Sequence, residues 1–290
     1  MRRHVLIAGG IAAVYVAACV WTLLQHHMFA SVMIRMVSCF ATALMCMSLW
    51  FWVARRLKRW DIIDVAWGIC IASIAFTSFW LQERRELAFD IQTVTTALVV
   101  IWALRLSAHI AKRFTPSSKE DPRYVALRKN WKGSVARNMY VRVYVVQAVL
   151  ALIVCLPVIH INLLGDMAWN RWAVLGALVC LLGIAIETLA DYQLTQFLRQ
   201  PNRPALFTGG LWKYSRHPNY FGEISVWWGF AIIALGTPHG WVGLGGALAI
   251  TYLLVFVSGV PLAEARAAHK KEWPAYKRRT SVLIPLPPKG

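Results

Sequence analysis

Eight stretches of this chain are apolar for roughly the 20 residues a helix needs to cross bilayer hydrocarbon: 5–24, 31–53, 62–81, 91–110, 141–159, 172–190, 220–236 and 241–260. In hydrocarbon every backbone N–H and C=O must be bonded within the protein, and continuous runs of this length achieve that as helices. The expected fold is therefore an all-α polytopic membrane bundle of seven to eight transmembrane helices. Composition agrees: 58% of the 290 residues are hydrophobic and 15% charged, against about 45–50% and 25% in ordinary soluble domains. A soluble globular enzyme is excluded. The first stretch follows Arg2 and Arg3 but has no clear small-residue cleavage site, so it reads as a span rather than a signal peptide. The seventh ends in Gly236-Thr237-Pro238 and is short, so one of the last two is expected to be tilted or re-entrant.

The chain carries 31 Lys and Arg against 13 Asp and Glu, a formal net charge of +18. In a soluble protein that excess would point to nucleic acid. Here its placement gives another reading. All but Arg35, Arg84, Arg85, Arg105, Arg142 and Arg171 fall in the N-terminus, 54–60, 111–139, 191–219 and the tail from 261. Those are the loops of one side, which the positive-inside rule makes cytoplasmic. Both termini are expected in the cytoplasm, the protein in an inner membrane, and the partner is lipid rather than nucleic acid. The six cysteines lie in apolar runs without a C-x-x-C pair or clustered histidines. They are expected to be buried thiols, neither disulfides nor a metal centre.

Ionisable groups inside spans are costly and mark functional sites. Asp64, Arg105, His109, Glu187 and Glu223 are the candidates, with Asp61, Asp191 and Asn219 one helical turn away. Under the topology above all lie toward the cytoplasmic helix ends. Interhelical pairing is the structural alternative, but their convergence favours a polar cavity open to that side. The segment from Asp191 to Glu223 sets Arg199, Arg203, Lys213, Arg216 and His217 among Tyr192, Trp212, Tyr214 and Tyr220. Cations suit phosphate oxygens and flat rings suit a stacked base, so this composition fits an anionic aromatic cofactor such as a dinucleotide. Gly209-Gly210 allows a tight turn, and Pro218 can start the next helix with Asn219 at its N-terminus. No G-x-G-x-x-G joins a strand to a helix, so a nucleotide would not sit in a Rossmann fold. Gly243-Leu244-Gly245-Gly246 reads as helix packing. In the tail, Glu264, Arg266 and His269, then Trp273, Tyr276 and Lys277, form either a basic helix on the membrane surface or a lid over the cavity.

The run GGLWKYSRHPNYFGEISVWWGF, with upstream ETLADYQL and DVAWG and the tail from Glu264 through YKRRTSVLIPLPP, closely resembles bacterial members of the steroid 5-alpha-reductase superfamily. The resemblance spans 61–290, leaving 1–60 as an N-terminal hairpin. It implies NADPH-dependent reduction of a carbon–carbon double bond conjugated to a ketone, as in 3-oxo-delta-4 steroids or similar lipid enones arriving from the bilayer. The positions holding the ketone oxygen fall on Asp64 and Trp102, with Arg105 or His109 as a second donor, and Trp67 walls the substrate. The implied cofactor set is Glu187, Asp191, Arg199, Asn202, Lys213, Tyr214, Arg216, His217, Asn219, Tyr220, Glu223, Glu264, Arg266, His269, Tyr276 and Lys277. Asp64 donates only if protonated, the form burial favours unless Arg105 pairs with it.

Two other readings stand beside this one. Membrane methyltransferases of isoprenylcysteine or phospholipid share an RHP-x-Y motif near the C-terminus and use S-adenosylmethionine, which has no diphosphate. A non-catalytic lipid-binding protein or a transporter is the third, against which the one-sided polar residues argue.

Overall fold

The computed structural model describes residues 29–82, 89–112, 114, 119–164 and 168–289. The expected first span at 5–24, with Cys19, lies outside the described residues, as do Arg84, Arg85 and Arg113. The helices are α1 (Phe29–Leu57), α2 (Ile63–Trp80), α3 (Ile91–Ala111), α4 (Pro122–Lys129), α5 (Val135–Val154), α6 (Leu156–Leu164), α7 (Arg171–Arg199), α8 (Pro218–Leu235), α9 (Leu244–Tyr252), α10 (Val260–Ala267) and α11 (Trp273–Arg279). Among the described residues extended pairing is limited to one bridge, between Ser215 and Ser281. The protein is an all-α membrane bundle.

Among the described residues six helical segments are long and apolar enough to cross a bilayer: Ser31–Leu57, Trp60–Trp80, Ile91–Ala111, Val135–Val154, Arg171–Arg199 and Gly240–Ala267. Their outward faces carry bare aliphatic side chains; Leu178, Leu181 and Leu182 on α7 are all more than half exposed. A continuous apolar exterior of that kind is stable against lipid and not against water. The expected span at 220–236 forms α8, which is not among the six and buries Trp227 and Phe230 inside the bundle. The expected span at 141–159 divides at Cys155. Pro157 has no N–H to return to the turn before it, so α5 stops and α6 starts afresh with the proline in its first turn. The segment 172–190 instead runs on to Arg199.

Caps fix the entries. The Asp90 carboxylate accepts the Thr93 N–H at 2.7 Å ahead of α3, and Asn170 Oδ1 accepts the N–H groups of Trp172 and Ala173 at 3.0 Å ahead of α7. Pro122 and Pro218 occupy first turns, where a missing N–H costs nothing. At the end of the bundle away from the basic loops, Asn162 ties α6 to α2 and α3. Its Nδ2 donates to Ser78 Oγ at 2.8 Å and Thr96 Oγ1 at 3.1 Å. The five described cysteines, Cys39, Cys46, Cys70, Cys155 and Cys180, are buried free thiols.

The seam between α7 and α8 positions the site. A Cβ on Gly183 would come 2.7 Å from the Gly222 carbonyl oxygen, and one on Gly222 would come 2.6 Å from the Glu187 nitrogen. With no side chain between them the two backbones touch, as small residues permit in membrane helices. The run at 243–246 packs likewise, Gly246 facing the Val154 carbonyl at 2.4 Å from its would-be Cβ.

Candidate active site

Four elements bring ionisable groups to the basic-loop end. α2 begins there with Asp64, α3 ends there with Arg105 and His109, α7 passes through with Glu187 and Asp191, and α8 begins there with Asn219 and Glu223. α2 and α3 run antiparallel, as do α7 and α8, which puts a start beside an end in each pair. Arg105 is the hub. It is ion-paired with Glu187, and its Nη1 donates to Asp191 Oδ2 at 2.7 Å. His109 Nε2 lies 3.8 Å from the same oxygen. Asn219 Nδ2 donates to Asp191 Oδ1 at 3.3 Å, and Trp102 Nε1 to Glu187 Oε2 at 3.1 Å. Glu223, 9% exposed, is the third buried carboxylate here. Asn219 Oδ1 is buried with no hydrogen-bond partner among the described residues, an acceptor left for a ligand.

Asp64 has partners that the sequence reading did not assign. Its Oδ1 accepts the Tyr124 hydroxyl at 2.6 Å and its Oδ2 accepts Arg123 Nη2 at 2.5 Å. Both donors sit on α4, the helix inside the basic loop. Asp121 caps it by accepting the Arg123 N–H at 2.8 Å. Asp61 docks it, accepting the Asp121 N–H at 2.9 Å and Arg59 Nη2 at 2.7 Å. Burial, then the charge of Asp64, pushes the Tyr124 phenol well above its ordinary value. Tyr124 therefore stays protonated and keeps its proton available to an oxygen. The cation that pairs with Asp64 is thus Arg123; Arg105 is engaged at Glu187 and Asp191. The signal in the sequence was Asp121-Pro122, a cap followed by proline, which announces a helix start in a loop read only for its charge.

These groups enclose a hollow with two connected compartments. The inner one, about 380 Å³, is lined by Asp64, Trp67, His109, Tyr124, Glu187, Asp191, Asn219, Tyr220 and Glu223, with an apolar wall that includes Leu150, Ile250 and Leu254. The outer one, about 260 Å³, shares Asp64, Arg123 and Tyr220 and adds Arg59, Lys119 and Arg266 with Asp61 and Asp121. Small-molecule pockets run from roughly 300 to 1,000 Å³. The outer mouth holds four cations against three carboxylates, and Arg266, an exposed one, contacts Asp121 only at 3.3 Å.

Other expected site residues lie elsewhere. Trp102 is fully buried, edge-on to Trp227 at 5.2 Å between ring centroids, and supports Glu187 instead of facing the hollow. Arg199, Asn202, Lys213, Tyr214 and His269 are exposed and line neither compartment. The reason for Arg199 is the extension of α7, which carries it about 12 Å beyond Asp191. Arg216, His217, Glu264, Tyr276 and Lys277 form a clasp between the loop and the tail. Arg216 Nε and Nη2 donate to Glu264 Oε1 at 2.9 and 2.7 Å, and its Nη1 donates to the carbonyls of Lys277 and Thr280 at 2.9 and 2.6 Å. The Tyr276 hydroxyl donates to the Trp212 carbonyl at 2.6 Å, and Lys277 Nζ reaches Glu264 at 3.3 Å. His217 stacks on Tyr220 at 5.3 Å, and burial lowers its pKa to about 4 despite the pull of Glu264. Of the tail, Arg266 faces the hollow.

The geometry can therefore hold a polar oxygen at Asp64, Arg123 and Tyr124, an amide at Asn219, an apolar body beside Trp67 and an anion at the outer mouth. No curated protein matches the chain. Residues 50–280, which include every group lining the hollow, match the family described as Protein of unknown function (DUF1295), and the chain belongs to that family.

Proposed function

We propose that the protein is an NADPH-dependent reductase of a carbon–carbon double bond conjugated to a ketone in a lipophilic substrate, of the steroid 5-alpha-reductase type. The observation that carries this reading is the phenol–carboxylate pair of Tyr124 and Asp64, backed by Arg123, on the wall of a half-apolar hollow. Reduction of an enone places growing negative charge on the ketone oxygen, and fixed donors aimed at it in a dry site lower the barrier by several kcal/mol. Asp64 accepts from both donors and so orients them. The Tyr124 hydroxyl carries one proton and turns it from Asp64 to the ketone when substrate enters, while Arg123 keeps one N–H on Asp64 and offers another to the same oxygen. This replaces the expected pairing of Asp64 with Trp102, whose indole lies outside the hollow.

The residues fit a nicotinamide dinucleotide. The partnerless Asn219 Oδ1 suits a carboxamide N–H, and Arg59, Lys119 and Arg266 suit phosphate oxygens. NADPH, when bound, would supply the hydride for the β carbon, and the α carbon then takes a proton that comes ultimately from solvent. Glu187 and Asp191 hold Arg105 in place, His109 faces the inner compartment, and Trp67 with the aliphatic wall keeps water from the reacting face. The lipid-facing exterior and the placement of basic loops support a membrane enzyme with its site on the cytoplasmic side.

The methyltransferase reading gains nothing from the cationic mouth, since S-adenosylmethionine carries no diphosphate. Detergent-purified protein is expected to carry NADPH or NADP+, identified by mass spectrometry, and to oxidise NADPH when a 3-oxo-delta-4 steroid is added. Co-purified S-adenosylmethionine or its demethylated product would replace this reading with the methyltransferase one.

A further inference from the structure

One polar group in the apolar wall of the inner compartment is not used by the reaction above. Gln147, on α5, lines that compartment beside Leu150, Ile250, Leu253 and Leu254, and is absent from the outer one. Its amide makes no hydrogen bond to another described residue, although Val135–Val154 is a membrane-length apolar helix. Half-buried and open to the compartment, that amide has both N–H donors and an acceptor to offer a ligand. The local backbone is also unusual. The π turn Tyr140–Val145 ends two residues before Gln147, and a second π turn, Leu253–Val257, supplies part of the same wall. Such wide turns concentrate at functional sites.

We infer that Gln147 is a specificity-determining residue that hydrogen-bonds a second oxygen function of the substrate, distinct from the ketone held at Tyr124 and Arg123. The substrate class this assigns is a lipid enone with a hydroxyl or carbonyl elsewhere on its apolar body, not a plain hydrocarbon enone. A primary amide both donates and accepts, so either oxygen type satisfies it. The inference rests on the inner compartment being the enone site of the proposed reaction.

The test uses two 3-oxo-delta-4 steroids with the same ring skeleton, one bearing an oxygen on the ring farthest from the enone and one bearing hydrogen there. Binding of each to the purified full chain is measured by thermal stabilisation, and NADPH oxidation is followed in parallel. The oxygenated steroid is expected to bind about tenfold more tightly to the unaltered protein, the value of one hydrogen bond in a dry site. Gln147→Leu is expected to erase that preference, weakening binding of the oxygenated steroid about tenfold relative to the oxygen-free one; Gln147→Met serves if the leucine variant does not fold. Equal binding of the two steroids, or a preference that survives both substitutions, overturns the inference. A Gln147-dependent binding preference without NADPH oxidation would keep the anchor and remove the reductase reading.

Discussion

Arg105 and Arg216 are both largely buried guanidiniums on the basic-loop side, and their surroundings differ in what is left over. Arg216 spends its donors on one carboxylate and two backbone carbonyls, with the Trp273 ring 5.8 Å away and no lining role in the hollow. Arg105 faces two carboxylates with a third, Glu223, on the same cavity wall, and Asn219 beside it keeps an unused acceptor. Charge balanced by fixed partners makes a clasp; charge in excess beside empty volume makes a binding site. Arg105 sits in an apolar span and Arg216 in a polar loop, but what each does is decided by its neighbours.

The widest break in that contrast would come from Arg216→Ala. Removing the buried guanidinium leaves two backbone carbonyls without their donor and Glu264 with only the exposed Lys277, so a loss of about 3 kcal/mol is expected. Thermal denaturation in detergent reads it, and nucleotide affinity per folded molecule should hold; lost affinity with unchanged stability would move Arg216 into the site. Next, Tyr124→Phe should lower kcat for enone reduction by about 10² to 10³ with little change in melting temperature. A variant that kept full rate would strip the hollow of its proposed chemistry.

The clasp also carries a pH signature. His217 is held at about 4 against an ordinary 6.5, so the folded state binds fewer protons than the unfolded one between those values. Its contribution is complete above pH 6.5, declines as pH falls toward 4, and is flat below, with a span of up to roughly 3 kcal/mol. His217→Asn should flatten the stability profile in that window, and a slope that persisted would assign it to another group. The smallest effect is expected at the outer mouth, where Arg266→Ala should raise KM for NADPH roughly fivefold at constant kcat, as befits an exposed cation. An unchanged KM would take the anion site away from the tail.

The bundle was legible because membrane spans announce themselves by length, and so was the meeting of Asp64, Arg105, Glu187, Asp191 and Glu223, since five polar groups cannot share one end of four helices cheaply unless they face one another. The partners were not. Charge counting treats Arg123 and Arg216 alike, yet the Asp121-Pro122 start turns Arg123 toward Asp64, while Glu264, far along the chain, captures Arg216. Trp102 falls outside the hollow because a motif fixes a position on a helix and not the face it presents, whereas Tyr124 stands on a separate short helix in the loop. Gln147 escaped notice since one amide in an apolar run leaves the hydropathy almost unchanged.

The glycine contact between Gly183 and Gly222 has a further consequence. Main chain, not side chain, sets how far apart the two acidic helices stand, so the gauge of the chamber is independent of the residues that paper its apolar side. Leu150, Ile250 and Leu254 can then be exchanged to admit bulkier or slimmer lipids while the charged wall keeps its dimensions, and a single methyl at either glycine would do the reverse.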